Sequence, residues 1–140
     1  MAWDDRLAWL DVRRAQKTDS GSSILAEIAR RVDDRASARL LAASTEIEDA
    51  LLEGVVVEEG EGSVSQALAK AVEHARSLER GYVLAVVYSR EGYEARIRVD
   101  AGGERVAVAV IAGGRSLAGH EALRIYGRLK GEYQVVVVED

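Results

Sequence analysis

The chain has 140 residues, 48 % apolar and 31 % charged, with a formal net charge of −5, the balance of a globular domain and not of a general nucleic-acid binder. It holds no cysteine, which excludes disulfides, thiolate metal sites and thiol nucleophiles, and no apolar run approaches the roughly 18 residues of a membrane span. With an acidic start (Met1-Ala2-Trp3-Asp4-Asp5) where a secretory signal would be basic, the expectation is a cytoplasmic protein.

Residues 2–14 predict a short amphipathic helix: Trp3, Leu7 and Leu10 recur at i, i+4, i+7. Asp4 and Asp5 at its start and Arg13, Arg14 and Lys17 near its end suit the helix dipole. Trp9 and Val12 lie off the stripe and either widen the buried face or mark a contact with another molecule. A polar Gly/Ser linker over 17–23 follows. A second helix is expected over 24–42, with Ile24, Ile28 and Val32 on one face, broadened by Leu25, Ala29, Ala36 and Leu40. Asp33-Asp34 offers a break that would divide it in two. Thr45-Glu46-Ile47-Glu48 fits a capping box opening a short helix, with Gly54 as its left-handed stop.

Val55, Val56 and Val57 begin a short strand over 55–59. Ser63-Val64-Ser65-Gln66 is a second capping box, heading a helix with the stripe Val64, Leu68, Ala71, Ala75 and Leu78 and closed by Gly81. Residues 82–88 are apolar throughout, the pattern of a central strand covered on both faces. After a turn at Arg90-Glu91-Gly92, residues 93–99 alternate strictly between apolar and charged, which predicts one buried and one wet face. Asp100-Ala101-Gly102-Gly103 is a hairpin turn into a nearly all-apolar strand over 106–112. Gly113-Gly114 then leads to a helix over 118–129, with Ala122, Ile125 and Leu129 inward. Gly131 ends that helix before a final strand over 133–138.

The expected fold is α+β: a mostly antiparallel sheet with a central three-strand meander, packed against helices. An N-terminal helical segment, 1–53, precedes a domain, 54–140, of order β-α-β-β-β-α-β. The helices before and after the meander are expected on one face of the sheet.

Four local patterns in the second part are similar to a known family. Gly81 leads into the apolar strand 82–88, and Gly103 precedes the aliphatic strand that runs from Val106 to Ala109. Gly119-His120-Glu121-Ala122-Leu123 opens a helix, and Gly131-Glu132-Tyr133-Gln134-Val135 opens the last strand. Over roughly 55–140 the chain resembles the PATAN domain (the DUF4388 group) and the related archaeal DUF2226 proteins. It departs from them in a hairpin one residue longer, at Glu104, and in carrying Tyr at every aromatic slot. The resemblance implies a non-enzymatic module of regulatory or scaffolding proteins, with no catalytic residues to carry over. A Roadblock-like interaction platform is the nearest competing fold.

No residue pattern points to catalysis, a metal or a cofactor. His74 and His120 are the only histidines and neither has a second ligand at metal spacing. Gly102-Gly103 and Gly113-Gly114 lack the spacing of phosphate-binding loops. Charge is more informative. Glu46, Glu48, Asp49, Glu53, Glu58, Glu59 and Glu61 follow one another with no base between them, after a helix carrying Arg30, Arg31, Arg35 and Arg39. These segments either neutralise one another within the fold or form polar docking surfaces. The absence of Asn and of any Met beyond Met1, beside abundant Glu and Arg, matches a thermophile bias, and equally GC-rich coding or design.

The expected function is therefore protein–protein interaction: an adaptor or regulatory subunit that self-associates or joins a larger complex. The expected contact residues are Trp3, Trp9, Leu10, Arg30, Arg31, Arg35 and Arg39, tryptophan and arginine being common interface anchors. The alternative is a nucleic-acid-associated protein using Arg30, Arg31, Arg35, Arg39, Arg96 and Arg98.

Overall fold

Asp33 and Asp34 break the helical pattern. In the computed structural model, which describes residues 26–139, residues 26–30 are helical, and Val32 forms a parallel bridge with Val106. Asp33 then caps a new helix, α1 (Asp34–Leu41), its carboxylate accepting from the Ala36 N–H at 2.9 Å. Such a cap is worth about 1 kcal/mol. The chain divides into two units, Met1–Arg30 and Arg31–Asp140. α1 and the next helix, α2 (Ser44–Glu53), thus belong with the sheet and not with an N-terminal segment reaching residue 53. The expected helix over 2–14, the linker over 17–23, Ile24 and Leu25 lie outside the described residues.

The capping box expected at Thr45 does not form. α2 starts two residues earlier, with Ala43 at its N-cap and no side-chain cap bond, so Thr45 falls inside the first turn, and the neighbouring Ser44 hydroxyl accepts from Arg96. Gly54 is not left-handed either: its backbone is extended (φ −78°, ψ 172°) and runs straight into β1 (Val55–Ser63). Glycine is required there by close approach, since a Cβ would meet the Val136 side chain and the Ala50 carbonyl. The second capping box does form. Ser63 Oγ accepts from Gln66 N at 3.1 Å and Gln66 Oε1 from Ser63 N at 2.7 Å, opening α3 (Val64–Arg76). This helix ends at Ser77, so Gly81 stands at the start of β2 and does not close it.

The sheet continues with β2 (Tyr82–Tyr88), β3 (Glu94–Asp100), β4 (Val106–Ala112), β5 (Arg115–Ala118) and β6 (Lys130–Val138). Its six strands lie in the order β1-β6-β2-β3-β4-β5, and every neighbouring pair is antiparallel. β5 is an addition to the expected order. Gly113-Gly114 makes a two-residue hairpin in place of a helix lead-in, with Ala112 opposite Arg115. The last helix, α4 (His120–Tyr126), is correspondingly short. Its Ala122 is buried as expected, but Ile125 is 44 % exposed, because Tyr126 takes the inward position against Tyr93 (ring centroids 5.8 Å apart). Gly131 lies within β6.

Helices cover both faces. Leu84, Val86, Ala107 and Ala109 point to one face, where Leu40 of α1 and Ile47 and Ala50 of α2 close over them. Val83, Ala85, Val87, Ile97, Val99 and Val108 point to the other, each with no exposed surface. That is the side of α3 and α4, which join where Val64 N and Ser65 N donate to the Leu129 and Gly127 carbonyls. A fully buried Val contributes about 1.5–3 kcal/mol, so this all-apolar layer is a large source of stability.

The alternation in β3 predicts a wet face, and here the structure differs. Arg96 is only 6 % exposed. Its Nη1 donates to the Leu40 and Leu41 carbonyls at 3.0 and 3.1 Å, its Nη2 to Ser44 Oγ at 3.0 Å, and its Nε to Glu94 Oε2 at 2.7 Å. A helix end leaves carbonyls without intrahelical partners. Arg96 satisfies two of them while tying the α1–α2 junction to the sheet. Replacing Arg96 with Ala should therefore cost about 2–4 kcal/mol, since buried carbonyls and Glu94 lose their donor. Arg96→Lys should recover little, because one ammonium cannot reproduce the planar fork. Chemical denaturation of the three proteins checks this, and full recovery by Lys would contradict it.

Candidate functional site

Trp3, Trp9 and Leu10 lie outside the described residues. Arg30, Arg35 and Arg39 are exposed, and Arg31 donates to the Gly103 carbonyl at 3.0 Å. Arg39 borders a shallow groove of about 210 Å³ between α1 and the sheet, together with Arg98, Asp100 and Arg105. Arg98 itself pairs with Asp100 at 3.2 Å and lies 3.9 Å over the Tyr82 ring. Arg96 is spent inside the fold. The groove therefore brings Arg39 of the helix and Arg98 of the strand to one place, beside Asp100, while Arg96 takes no part in a surface.

The two histidines are held by carboxylates. His120 Nδ1 and its backbone N–H both lie 2.9 Å from Asp34 Oδ1. Gly119, the α4 N-cap, has no side chain to offer, so Asp34 caps that helix from α1. The left-handed Gly119 (φ 77°) leaves the space Asp34 occupies. These bonds, the backbone one first, hold the Asp34 carboxyl below its ordinary value. His74 Nε2 lies 3.1 Å from Glu58 Oε1, and Lys70 Nζ 3.0 Å from Glu58 Oε2. Among the described residues, no group of three or more His, Cys, Asp or Glu is placed to hold a metal ion.

What stands out on the surface is β1. It is an edge strand, because β6 inserts between it and β2. Leu52 is 84 % exposed, Val55 65 %, Val56 42 % and Val57 39 %. Four exposed aliphatic side chains thus lie within six residues, at the end of α2 and on both faces of a strand whose outer side has no strand partner among the described residues, the kind of edge proteins normally cover or charge. The second half of the strand is charged: Glu58, Glu59 and Glu61 follow the valines. On the strand's other side Tyr133 lies against Gly60. Three consecutive valines read from the sequence only as a short β-branched strand, with no sign of their place at the sheet's edge. The acidic run was legible, its position along the outermost strand of the sheet was not.

Compared with known protein families, curated proteins and solved structures, the chain matches none of them.

The Glu58 tie has a definite pH sense. Hydrogen bonds from Lys70 first and His74 second lower its carboxyl below the ordinary value of 4.5. A depressed carboxyl stabilises the fold fully above its unfolded value and loses that contribution as pH falls through the folded one. Glu58→Gln should accordingly lower the thermal midpoint near neutrality and converge with the wild type in acid below the ordinary carboxylate range. Melting curves across that interval test it, and a gap that persists unchanged in acid would refute it.

Proposed function

We propose that the chain is a non-enzymatic protein–protein interaction domain, an adaptor or regulatory subunit that docks to a larger cytoplasmic partner through the β1 edge. One observation carries this reading: Val55, Val56 and Val57 lie exposed along a strand with no strand neighbour on its outer side among the described residues, and the exposed Leu52 at the end of α2 precedes them. Hydrophobic edges of this kind lose their unpaired state by adding a strand or by burial in an interface. The resemblance of residues 55–140 to the PATAN and DUF2226 modules supports the same class of function. The absence of cysteine suits a reducing compartment, and among the described residues no helix is long and apolar enough to cross a membrane.

The reading extends to the alternative. Nucleic-acid contact through Arg96 would require removing that side chain from the carbonyls it holds, and the net charge of −5 opposes approach to a polyanion.

The test compares the full chain with Val55→Lys/Val57→Lys as baits in extract of the source cells. Proteins held by the wild type should fall by about tenfold or more on the variant, which removes two edge contacts, while far-UV spectra and melting stay the same. Equal retention by both baits at equal stability would overturn the reading. So would salt-sensitive binding of random DNA or RNA by the wild type with no protein retained.

A further inference from the structure

The outer edge of β1 changes character along its length. Val55 pairs with Val137 and Val56 with Val136, then the register slips, so that Val57 is an extra residue opposite no partner. From Glu58 opposite Val135 to Ser63 opposite Lys130 the pairing is regular. The second half therefore presents an even edge, with N–H and C=O groups of alternate residues turned outward. The bulged first half presents valine side chains.

Charge divides the same way. Glu58 is engaged by Lys70 and His74. Glu59 receives only the neutral Gln134 amide at 3.1 Å, and Glu59 and Glu61 have no ion-pair partner among the described residues. Both lie on the sheet face that carries Glu132, their neighbour on β6, and the half-exposed Tyr88. An open groove of about 560 Å³ runs between these four residues. One end of the edge is thus apolar, and the other combines backbone with no strand partner among the described residues with carboxylates that none of those residues pairs, Arg90 and Lys130 lining the adjoining groove beside Glu61 and Glu132.

We infer that β1 receives an extended segment of a partner protein, running antiparallel to it, whose first part is basic and whose second part is apolar. Deepening the edge reading on which it rests, this inference names the occupant. Antiparallel addition continues the pattern of every pair in the sheet and is the more stable arrangement. The basic residues meet Glu59 and Glu61, and the apolar ones continue onto Val57, Val56 and Val55. A second copy of this chain fits poorly. The two-fold register that sets Val55 opposite Val57 joins only three residues before Gly54 and α2 interrupt it. Registers centred further along the strand set Glu58, Glu59 or Glu61 against valine or against glutamate, and like charges directly opposite are destabilising.

The experiment titrates the full chain with a dye-labelled peptide, Lys-Thr-Lys-Thr-Lys-Val-Thr-Val-Thr-Val, and with the same residues in reverse order, following fluorescence anisotropy. The basic-first peptide should bind more tightly than the reversed one. N-methylation of alternate peptide amides should abolish its binding. Glu59→Lys/Glu61→Lys should weaken it by about tenfold or more, the size expected of two lost charge pairs, and Glu59→Gln/Glu61→Gln by less, with melting unchanged in both. Equal affinity for the two peptide orders, or indifference to N-methylation or to the glutamate variants, overturns the inference. So does a dimer in sedimentation that hides the β1 amides from hydrogen exchange, which would make a second copy the occupant. If Val55→Lys/Val57→Lys loses its cellular partners while the glutamate variants keep them, the edge reading stands and only the basic segment fails. If neither variant loses them, both fail.

Discussion

The Arg96 guanidinium is the constraint on which one whole layer depends. A charged side chain loses its hydration when buried, and that cost is offset only by well-placed acceptors. Here the acceptors are the carbonyls of Leu40 and Leu41, which end α1, the Ser44 hydroxyl, which begins α2, and the Glu94 carboxylate on the same strand. The helix junction needs donors and the arginine needs acceptors, so each makes the other tolerable. Around that contact Leu40, Ile47 and Ala50 close over Leu84, Val86, Ala107 and Ala109. The opposite layer needs no such device, because the side chains beneath α3 are aliphatic throughout.

The same arrangement explains where the fold leaves a surface for function. With α1 and α2 on one face and α3 and α4 on the other, the sheet's faces are largely occupied, and its edges remain. β5 is a short edge of four residues, Arg115–Ala118. β1 is a long one, and its first part is apolar and uncharged. A bulge at Val57 and the acids beyond it are the features by which an exposed edge resists indiscriminate strand pairing.

Local chemistry made much of this legible. The Ser63–Gln66 box, the break at Asp33, the all-apolar β2 and the hairpins after Tyr88 and Asp100 depend on neighbours a few residues apart, and all are found in place. Where distant residues intervened, local patterns misled. Thr45 and Glu48 carry an acceptable capping box, but α2 begins two residues earlier, at the junction where a guanidinium from β3 holds the Ser44 hydroxyl. Gly54 has the composition of a left-handed stop, while contact with Val136 asks only for the absence of a side chain. Arg115 to Ala118 show no strand alternation, and pairing with β4 alone makes them β5. His120 shows no second ligand at metal spacing in the sequence, and Asp34, far away along the chain, makes it part of a helix cap.

The sequence by itself determined the α+β class, the antiparallel meander and the central place of Tyr82–Tyr88, since periodicity and turn residues are short-range properties. Only the tertiary structure decided that β6 lies between β1 and β2, and that choice sets three valines, read from the sequence only as a short strand, on an exposed edge. Which strand ends a sheet, and which arginine is buried in it, follows from how distant segments compete for the same backbone groups and the same apolar face. No window of neighbouring residues contains that competition.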